Sequence, residues 1–535
     1  MGIAIFLFCT RKFDFVFNNK IITMQRSRIF STEKIFLFVI ILIAIVIRFK
    51  AISWGNPPLI TINEEKRIVE ISRDMILTKD FNPHFFNYPS LIFYLIAFLS
   101  YLISAVTYLS FNTAEYFAYD LQKIYFIGRF LVFFFSILTI VLTYKIGKEI
   151  INSRVGIFSA AFLSLSSLHL NNSSIISVDS PMVCCVLLSF FFAIKIFHNN
   201  AELKNYLLAG LFIGLAVGFK YNAIAGFIFI LLAHLAHGYE SGRGNKKLFA
   251  SIIFVLIFFL ITTPYAIFDF GSFLNGIKYE SIHYKVGHIG AEAKLFSYFN
   301  YFQILLSDYG LIPILLFLIG SVLLWRKNKS TLIFILGFPL IYFLFVGSFK
   351  VYFSRNMLVI IPFISLVSGY SANELFVWIF NAGILKNKLT KYSVLVLIML
   401  ILIAQSLTQA NSYWNKINLT DTRTISKQWI EKNLPKDSKI LRENYTPELS
   451  NEFKNVTNCG MIGKMTDKLD VYDYFILSSM NYSRILADST RAEFKKNYLE
   501  IFLKYELLKE FIPDGNNSTG PTIKIYYLRS TLRSL

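Results

Sequence analysis

The stretch TINEEKRIVEISRDMILTKDFNPHFFNYP, Thr61 to Pro89, differs sharply from everything around it. Glu64, Glu65, Lys66, Arg67, Glu70, Arg73 and Asp74 crowd its first half, between one strongly apolar run and the next. Ile68, Ile71, Met75 and Ile76 recur at helical spacing, with Lys66, Glu70, Arg73 and Asp74 largely on the other side. That is the pattern of a helix lying in a membrane interface. Two adjacent carboxylates at its start make this insert the place to expect chemistry, with the rest of the chain as the scaffold that holds it against a bilayer.

The bilayer follows from composition. Of 535 residues, 55% are apolar and 16% charged, where a soluble protein carries about a quarter charged residues. The mean hydropathy is +0.54. A net charge of +20 would suggest nucleic acid in a soluble protein. Here Lys and Arg gather in short turns between apolar runs, as the positive-inside rule requires, and nucleic acid is set aside as a partner. Cys9, Cys184, Cys185 and Cys459 show no metal-binding or redox spacing.

Residues 1–34 form a basic tail whose apolar run, Ile3 to Cys9, is too short to span; Met24 is an alternative start to Met1. The first span is 35–52. Tyr88 to Leu109 is long enough to cross, yet counting it as a span would put five basic turns outside, among them Lys145-Lys148-Arg154 and Arg326-Lys327-Lys329. The segment is therefore read as juxtamembrane or re-entrant. Further spans are expected at 128–147, 155–171, 180–197, 206–219, 221–237, 248–265, 308–325, 331–348, 357–377 and 392–408. After Leu407 the chain turns polar, with strand-like runs at Ser438–Leu441, Tyr472–Ser478 and Ile523–Leu528 and helix-like ones at Thr422–Asn433 and Thr490–Lys504. The expected fold is an all-α polytopic membrane protein of about eleven spans with juxtamembrane helices and a small C-terminal α/β extracytoplasmic domain. Its parts are a cytosolic tail (1–34), a membrane domain (35–408) with a first external loop at 53–127, and the α/β domain (409–535).

Glu64 and Glu65 can be read as a general base with a partner that orients it or binds a metal, or as negative charge at a helix N-terminus. Lys220 lies between two spans joined almost without a loop. A cation in mid-bilayer costs about 2.5–3.5 kcal/mol on insertion scales, so Lys220 and Arg355 either snorkel or hold an anion at the membrane surface. Asp179 before Ser180-Pro181 reads as an N-cap that can also orient a cation or a hydroxyl. His169 reads as an interfacial histidine, and His283 and His288 lack metal-ligand geometry. No residue pattern demands a cofactor, and a divalent metal is compatible with the paired carboxylates.

NEEKRIVEISRDMI followed by DFNPHFFNYPSL resembles the first external loop of the C-type-fold, lipid-phosphate-dependent glycosyltransferases, the superfamily of protein O-mannosyltransferases and lipid A aminoarabinose transferases. LHLNNSSIISVDSPMV (168–183), AGLFIGLAVGFKYNA (209–223), FSRNMLVIIP (353–362) and DTRTISKQWIEKNLPKDSKIL (421–441) resemble later family segments in the same order. Where the family has an Asp-Glu pair this chain has Glu64-Glu65. Tyr88, not Lys, precedes the loop proline Pro89, which counts against aminoarabinose; the Trp-Trp-Asp signature of oligosaccharyltransferases is absent. The resemblance implies transfer of a sugar from a polyprenyl phosphate to a hydroxyl of a lipid, glycan or protein, by inverting displacement on the outer face of a bacterial cytoplasmic membrane. It implies Glu64 or Glu65 as base, Lys220, Arg355 and Arg67 as phosphate ligands, and Asp179, His169, Tyr221 and Tyr88 as cavity residues. The rival readings are a transporter or lipid flippase, which predicts ionisable residues in several helices and paired halves, and a non-catalytic scaffold.

Overall fold

The computed structural model describes residues 26–55, 63–108, 120–198, 200–236, 243–293, 295–381, 388–465, 469–488 and 491–528. The basic tail through residue 25 with its alternative starts, Cys9, and parts of the first loop (56–62 and 109–119) lie outside the described residues. Helices dominate up to residue 418. Among the described residues six are long and apolar enough to cross a membrane: Glu33–Ile52, Leu121–Ile150, Asp179–Phe197, Asn245–Thr262, Lys329–Gly347 and Ile361–Asn381. Tyr298–Tyr309 and Leu311–Lys327, bent by 112°, make a seventh if counted together. Leu91–Thr107, Ser153–Leu165, Leu203–Phe219 and Tyr221–Ala236 are shorter apolar helices, so among the described residues fewer helices pass on length than the eleven or so spans expected from hydropathy.

The breaks have local causes. The run expected at 155–171 divides at Ser166, whose extended backbone ends one helix while its side chain accepts from His169 N to start the next. Lys220 is likewise extended (φ −151°, ψ 125°) between Leu203–Phe219 and a 3₁₀ turn, Tyr221–Phe227. Gly310, at φ 111°, divides the bent pair.

Large apolar side chains such as Phe38, Val46, Phe249, Leu256, Leu318 and Val322 remain exposed on the outer helices, as lipid-facing residues do. Helix Asp179–Phe197 is almost wholly buried among the others. Helix Leu203–Phe219 lies against Arg243–Thr262 through a row of glycines. A Cβ on Gly210 would stand 2.4 Å from the Ser251 carbonyl oxygen, one on Gly214 2.7 Å from that of Val255, and one on Gly218 2.3 Å from Thr262 Oγ1. Only glycine permits this backbone approach, and the approach fixes where the helix ends, at Lys220. The charged helix Asn63–Thr78 buries Ile68, Val69, Ile71, Met75 and Ile76 in the protein core. Its apolar face therefore packs on protein, including the helix Leu91–Tyr108, and not on lipid as an interfacial helix would.

The C-terminal α/β unit begins after the helix Lys388–Asn418. Among the described residues its main sheet has five strands in the order Val456–Asn458, Ile440–Arg442, Tyr474–Ser478, Ile523–Tyr527, Glu506–Phe511, the first three parallel and the last two antiparallel to their neighbours, beside a two-stranded sheet of Thr420–Asp421 and Ser518–Thr519. Alternation across a strand sends Phe475 and Leu477 to one apolar cluster and Tyr474 and Ile476 to the other, so helices cover both faces. Asp421 caps the helix Thr422–Asn433 by accepting from Arg423 N.

Candidate active site

Successive helical residues point about 100° apart, so Glu64 and Glu65, side by side in the first turn of Asn63–Thr78, go separate ways. Glu65 turns inward and is fully buried. Arg129 grips it with both prongs, Nε to Oε1 at 2.6 Å and Nη2 to Oε2 at 2.9 Å, and Ile176 N donates to Oε1 at 3.3 Å. Arg129 Nη1 donates in turn to the carbonyls of Ile52 (3.1 Å) and Trp54 (2.6 Å). Every polar atom of this pair is satisfied, and together they fasten the charged helix to the first span.

Glu64 turns to a second cluster. Its Oε2 pairs with Arg355 Nη1. Asp179 is the first residue of its helix, not the cap: Val178 holds the cap position, without a side-chain bond. The Asp179 carboxylate, fully buried, accepts from Lys220 Nζ at 2.7 Å and lies 3.7 Å from Arg355 Nε. Lys220 also donates to Asn356 Oδ1 at 3.0 Å, and Asn356 Nδ2 donates to Tyr301 Oη at 2.8 Å. Two carboxylates and two cations from four distant segments thus alternate in one buried array. Buried ions persist only when paired in this way. Among the described residues Glu64 Oε1, Asp179 Oδ2 and Arg355 Nε are each buried without a hydrogen-bond partner. A buried polar atom left unpaired costs about 1–3 kcal/mol, and three of them converging on one array mark a ligand's place.

The other expected site residues are placed variously. Tyr88 is half-buried, edge-on to Phe85 at 5.7 Å, and within electrostatic range of Asp179. Tyr221, next to Lys220, donates to the Phe86 carbonyl at 3.0 Å and packs on Phe259 and Phe273, bracing the loop that carries Tyr88. Arg67 is exposed with its guanidinium 5.2 Å from the Phe85 ring centre and has no contact with the array. His169 is not brought to the array either. It is buried, and its Nδ1 accepts from Arg48 at 2.8 Å, while Arg48 also bonds Ser136 Oγ and the Ser164 carbonyl. That knot ties the first span to the break at Ser166 and corrects the assignment of His169 to the cavity. His283 Nε2 and His288 Nδ1 are 3.0 Å apart beside Phe353.

Sequence reading passed over Arg129 and Asn356. An arginine inside an apolar run is itself a signal, whereas Asn356 carries none. Among the described residues no group of three or more His, Cys, Asp or Glu side chains is set to hold a metal ion. The two carboxylates of the array already face protein cations, a donor set suited to an organic anion and a hydroxyl more than to a divalent ion, which takes an oxygen shell.

Comparison with known proteins bears on the fold. The family described as dolichyl-phosphate-mannose-protein mannosyltransferase matches residues 122–268, and no curated protein matches the sequence. Among solved structures, ArnT from Cupriavidus metallidurans bound to undecaprenyl phosphate is 10% identical, with 91% of this chain and 97% of that one covered and a TM-score of 0.55. The Archaeoglobus fulgidus oligosaccharyltransferase tethered to an acceptor peptide is 11% identical, covering 92% and 74%, also at 0.55. Against the apo form of that archaeal enzyme the identity is 12% and the TM-score 0.52, and the chain covers 58% of its length. The chain is an integral membrane protein with the C-type glycosyltransferase fold. Over residues 122–268 the chain resembles the dolichyl-phosphate-mannose-protein mannosyltransferase family, a match that does not reach the Glu64-Glu65 loop, and the neighbours share its fold over nine-tenths of its length.

Proposed function

We propose that this protein moves a sugar from a polyprenyl-phosphate donor to a hydroxyl of a lipid, glycan or protein acceptor, with inversion, on the extracytoplasmic face of a bacterial cytoplasmic membrane. The observation that carries this is the set of unpartnered atoms. Glu64 Oε1 and Asp179 Oδ2 only accept hydrogen bonds, and Arg355 Nε only donates. A phosphate oxygen accepting from Arg355 Nε, an acceptor hydroxyl donating to Glu64 Oε1 and a second hydroxyl, from the donor sugar, donating to Asp179 Oδ2 would satisfy all three.

In this reading Lys220 and Arg355 hold the phosphate, and Asp179 fixes both cations. The acceptor oxygen attacks the anomeric carbon from the face opposite the phosphate and passes its proton to Glu64. The carbon–phosphate-oxygen bond breaks, and the polyprenyl phosphate leaves with the electron pair. Glu64 is the base because one of its oxygens is free, whereas both oxygens of Glu65 are held by Arg129. A phosphate that draws Arg355 toward itself also removes the cation that holds Glu64 Oε2, so donor binding strengthens the base. The ArnT neighbour's bound undecaprenyl phosphate supports a donor of this chemistry.

The test uses purified protein, lipid-linked sugars extracted from the native membrane and mass analysis of the products. Glu64→Gln is expected to retain undecaprenyl phosphate and lose transfer. Transfer that survives Glu64→Gln refutes the reading. So does a wild-type protein that moves lipid across the bilayer without breaking the sugar–phosphate bond, as a flippase would.

A further inference from the structure

Two further buried polar atoms beside the array, Ser177 Oγ and Asn222 Oδ1, have no hydrogen-bond partner among the described residues, and the transfer chemistry uses neither. Ser177, 5% exposed, follows Ile176, whose N–H donates to Glu65, and precedes Asp179 by two residues. Asn222 stands two residues beyond Lys220, in a turn that the Ala223 N–H closes on the Lys220 carbonyl at 3.0 Å. The 2.7 Å bond from Lys220 Nζ to Asp179 Oδ1 joins these two segments. Consecutive Cα atoms are about 3.8 Å apart, so each residue lies within about 7.6 Å, Cα to Cα, of one member of that bond.

A second set of contacts ties Asn222 to the same place. Its Nδ2 donates to the Oη of the fully buried Tyr342 at 3.0 Å. The ring of the next residue, Phe343, is 6.5 Å from that of Tyr301, centre to centre. Tyr301 Oη accepts from Asn356, and Asn356 Oδ1 from Lys220. The circuit returns to Lys220 through amides and aromatic rings, none of them charged.

Unpaired neutral groups in such surroundings call for a neutral polar ligand. Asn222 Oδ1 and Asp179 Oδ2 accept hydrogen bonds, while Ser177 Oγ both donates and accepts. A phosphodiester has no proton to give and leaves both acceptors unserved. A carboxylate has none either and is repelled by Asp179. Sugar hydroxyls donate and accept, so they serve all three atoms, and they serve the Asn222 amide whichever way it is turned.

We infer that Asn222 and Ser177 are ligands of the donor's sugar ring, and that the site selects an uncharged, hydroxylated sugar over one that carries a carboxylate. This rests on the donor reading above and adds to it the sugar's contacts and its charge.

Full-length protein in nanodiscs is titrated with undecaprenyl phosphate linked to mannose, to glucose or to glucuronic acid. Undecaprenyl methyl phosphate, a diester of the same phosphate charge without a sugar, is the reference. Wild type is expected to bind at least one of the two neutral sugar lipids more tightly than the methyl diester, and the glucuronic acid lipid less tightly than that neutral one. Asn222→Leu and Ser177→Ala should each weaken the preferred sugar lipid roughly three- to tenfold, as loss of one hydrogen bond does, with the methyl diester bound as by wild type. Ser177→Ala removes a single oxygen and decides the matter if Asn222→Leu, which also takes a partner from Tyr342, folds poorly. Equal losses for the sugar lipid and the methyl diester, or no loss in either, overturn the two residues as sugar ligands. Tightest binding of the glucuronic acid lipid overturns the selection of an uncharged sugar. A wild type that binds the methyl diester as well as both neutral sugar lipids overturns the inference and leaves the phosphate reading standing. A wild type that binds none of the four lipids refutes the donor reading itself.

Discussion

Glu64→Gln and Glu65→Gln differ by one position and should fail in opposite ways. Glu65 is fully buried, and both its oxygens are bonded to Arg129. Replacing it with the isosteric amide leaves the arginine's charge uncompensated. Arg129 cannot swing out to water, because it also donates to the Ile52 and Trp54 carbonyls. Breaking a buried pair by removing one partner costs about 3–5 kcal/mol, and the immobility of Arg129 favours the upper part of that range. Glu64 has one free oxygen, and its partner Arg355 is partly exposed and keeps Asp179 as a second anion. Its replacement should cost little stability but remove a general base, a loss of roughly 10²–10⁴-fold in transfer. The assay is thermal unfolding of each variant in detergent, with transfer measured per folded molecule. Glu65→Gln should unfold several degrees lower and keep most of its specific activity, while Glu64→Gln should unfold near wild type and be inactive. If Glu65→Gln instead keeps its stability and loses turnover, the assignment of base and fastener is reversed and the reasoning fails.

Lys220→Met removes the close partner of Asp179 and of Asn356; undecaprenyl phosphate binding should fall by roughly tenfold to a hundredfold. Lys220→Arg should not restore it, because the planar guanidinium cannot replace a compact ammonium, and a titration of both variants decides. Burial pushes Glu443 up to about 7 from 4.5, against the opposing pull of its bonds from Tyr498, Ser478 and Ile462. The folded state therefore holds an extra proton between those values. That stabilisation, on the order of 3 kcal/mol, is complete below about pH 4.5 and lost as pH rises through 7. Thermal unfolding at pH 5 and pH 8 should show this slope, and Glu443→Gln should flatten it; an unchanged slope means another group is responsible. Gly214→Leu would drive a side chain into the Val255 carbonyl and the Phe258 Cβ, which stand 2.7 and 2.8 Å from the position of a Cβ. Helix separation there should lower folded yield and, by moving Lys220, lipid binding as well.

Local signals made much of this protein legible. Apolar runs located most of the membrane helices, though Leu121–Ile150 starts seven residues before its run and Lys388–Asn418 ends ten beyond, because a membrane helix satisfies its own backbone and needs only a continuous apolar surface. Strand-like runs located Ile440–Arg442, Tyr474–Ser478 and Ile523–Tyr527 for the same kind of reason, and the acid pair was conspicuous in an apolar setting. The ends of runs were less legible. Hydropathy cannot see that Ser166 or Lys220 adopts an extended backbone, so it joined what the fold divides.

The sequence by itself pointed to a membrane-embedded chain, to most of its long apolar helices and three of the sheet strands, and to Glu64, Asp179, Lys220 and Arg355 as residues for chemistry; the strands Val456–Asn458 and Glu506–Phe511 and the helix Phe270–Val286 it did not mark. Tertiary structure alone decided which of two neighbouring glutamates is free. That choice depends on Arg129, 64 residues from Glu65, and on Arg355, 291 residues from Glu64. It also decided that His169 belongs with Arg48 and that Glu448 of the C-terminal unit pairs with Lys66 of the charged helix. The physical reason is that a charge's role is set by what shares its buried surroundings. In a polytopic chain those neighbours come from helices far apart in sequence, joined only by packing.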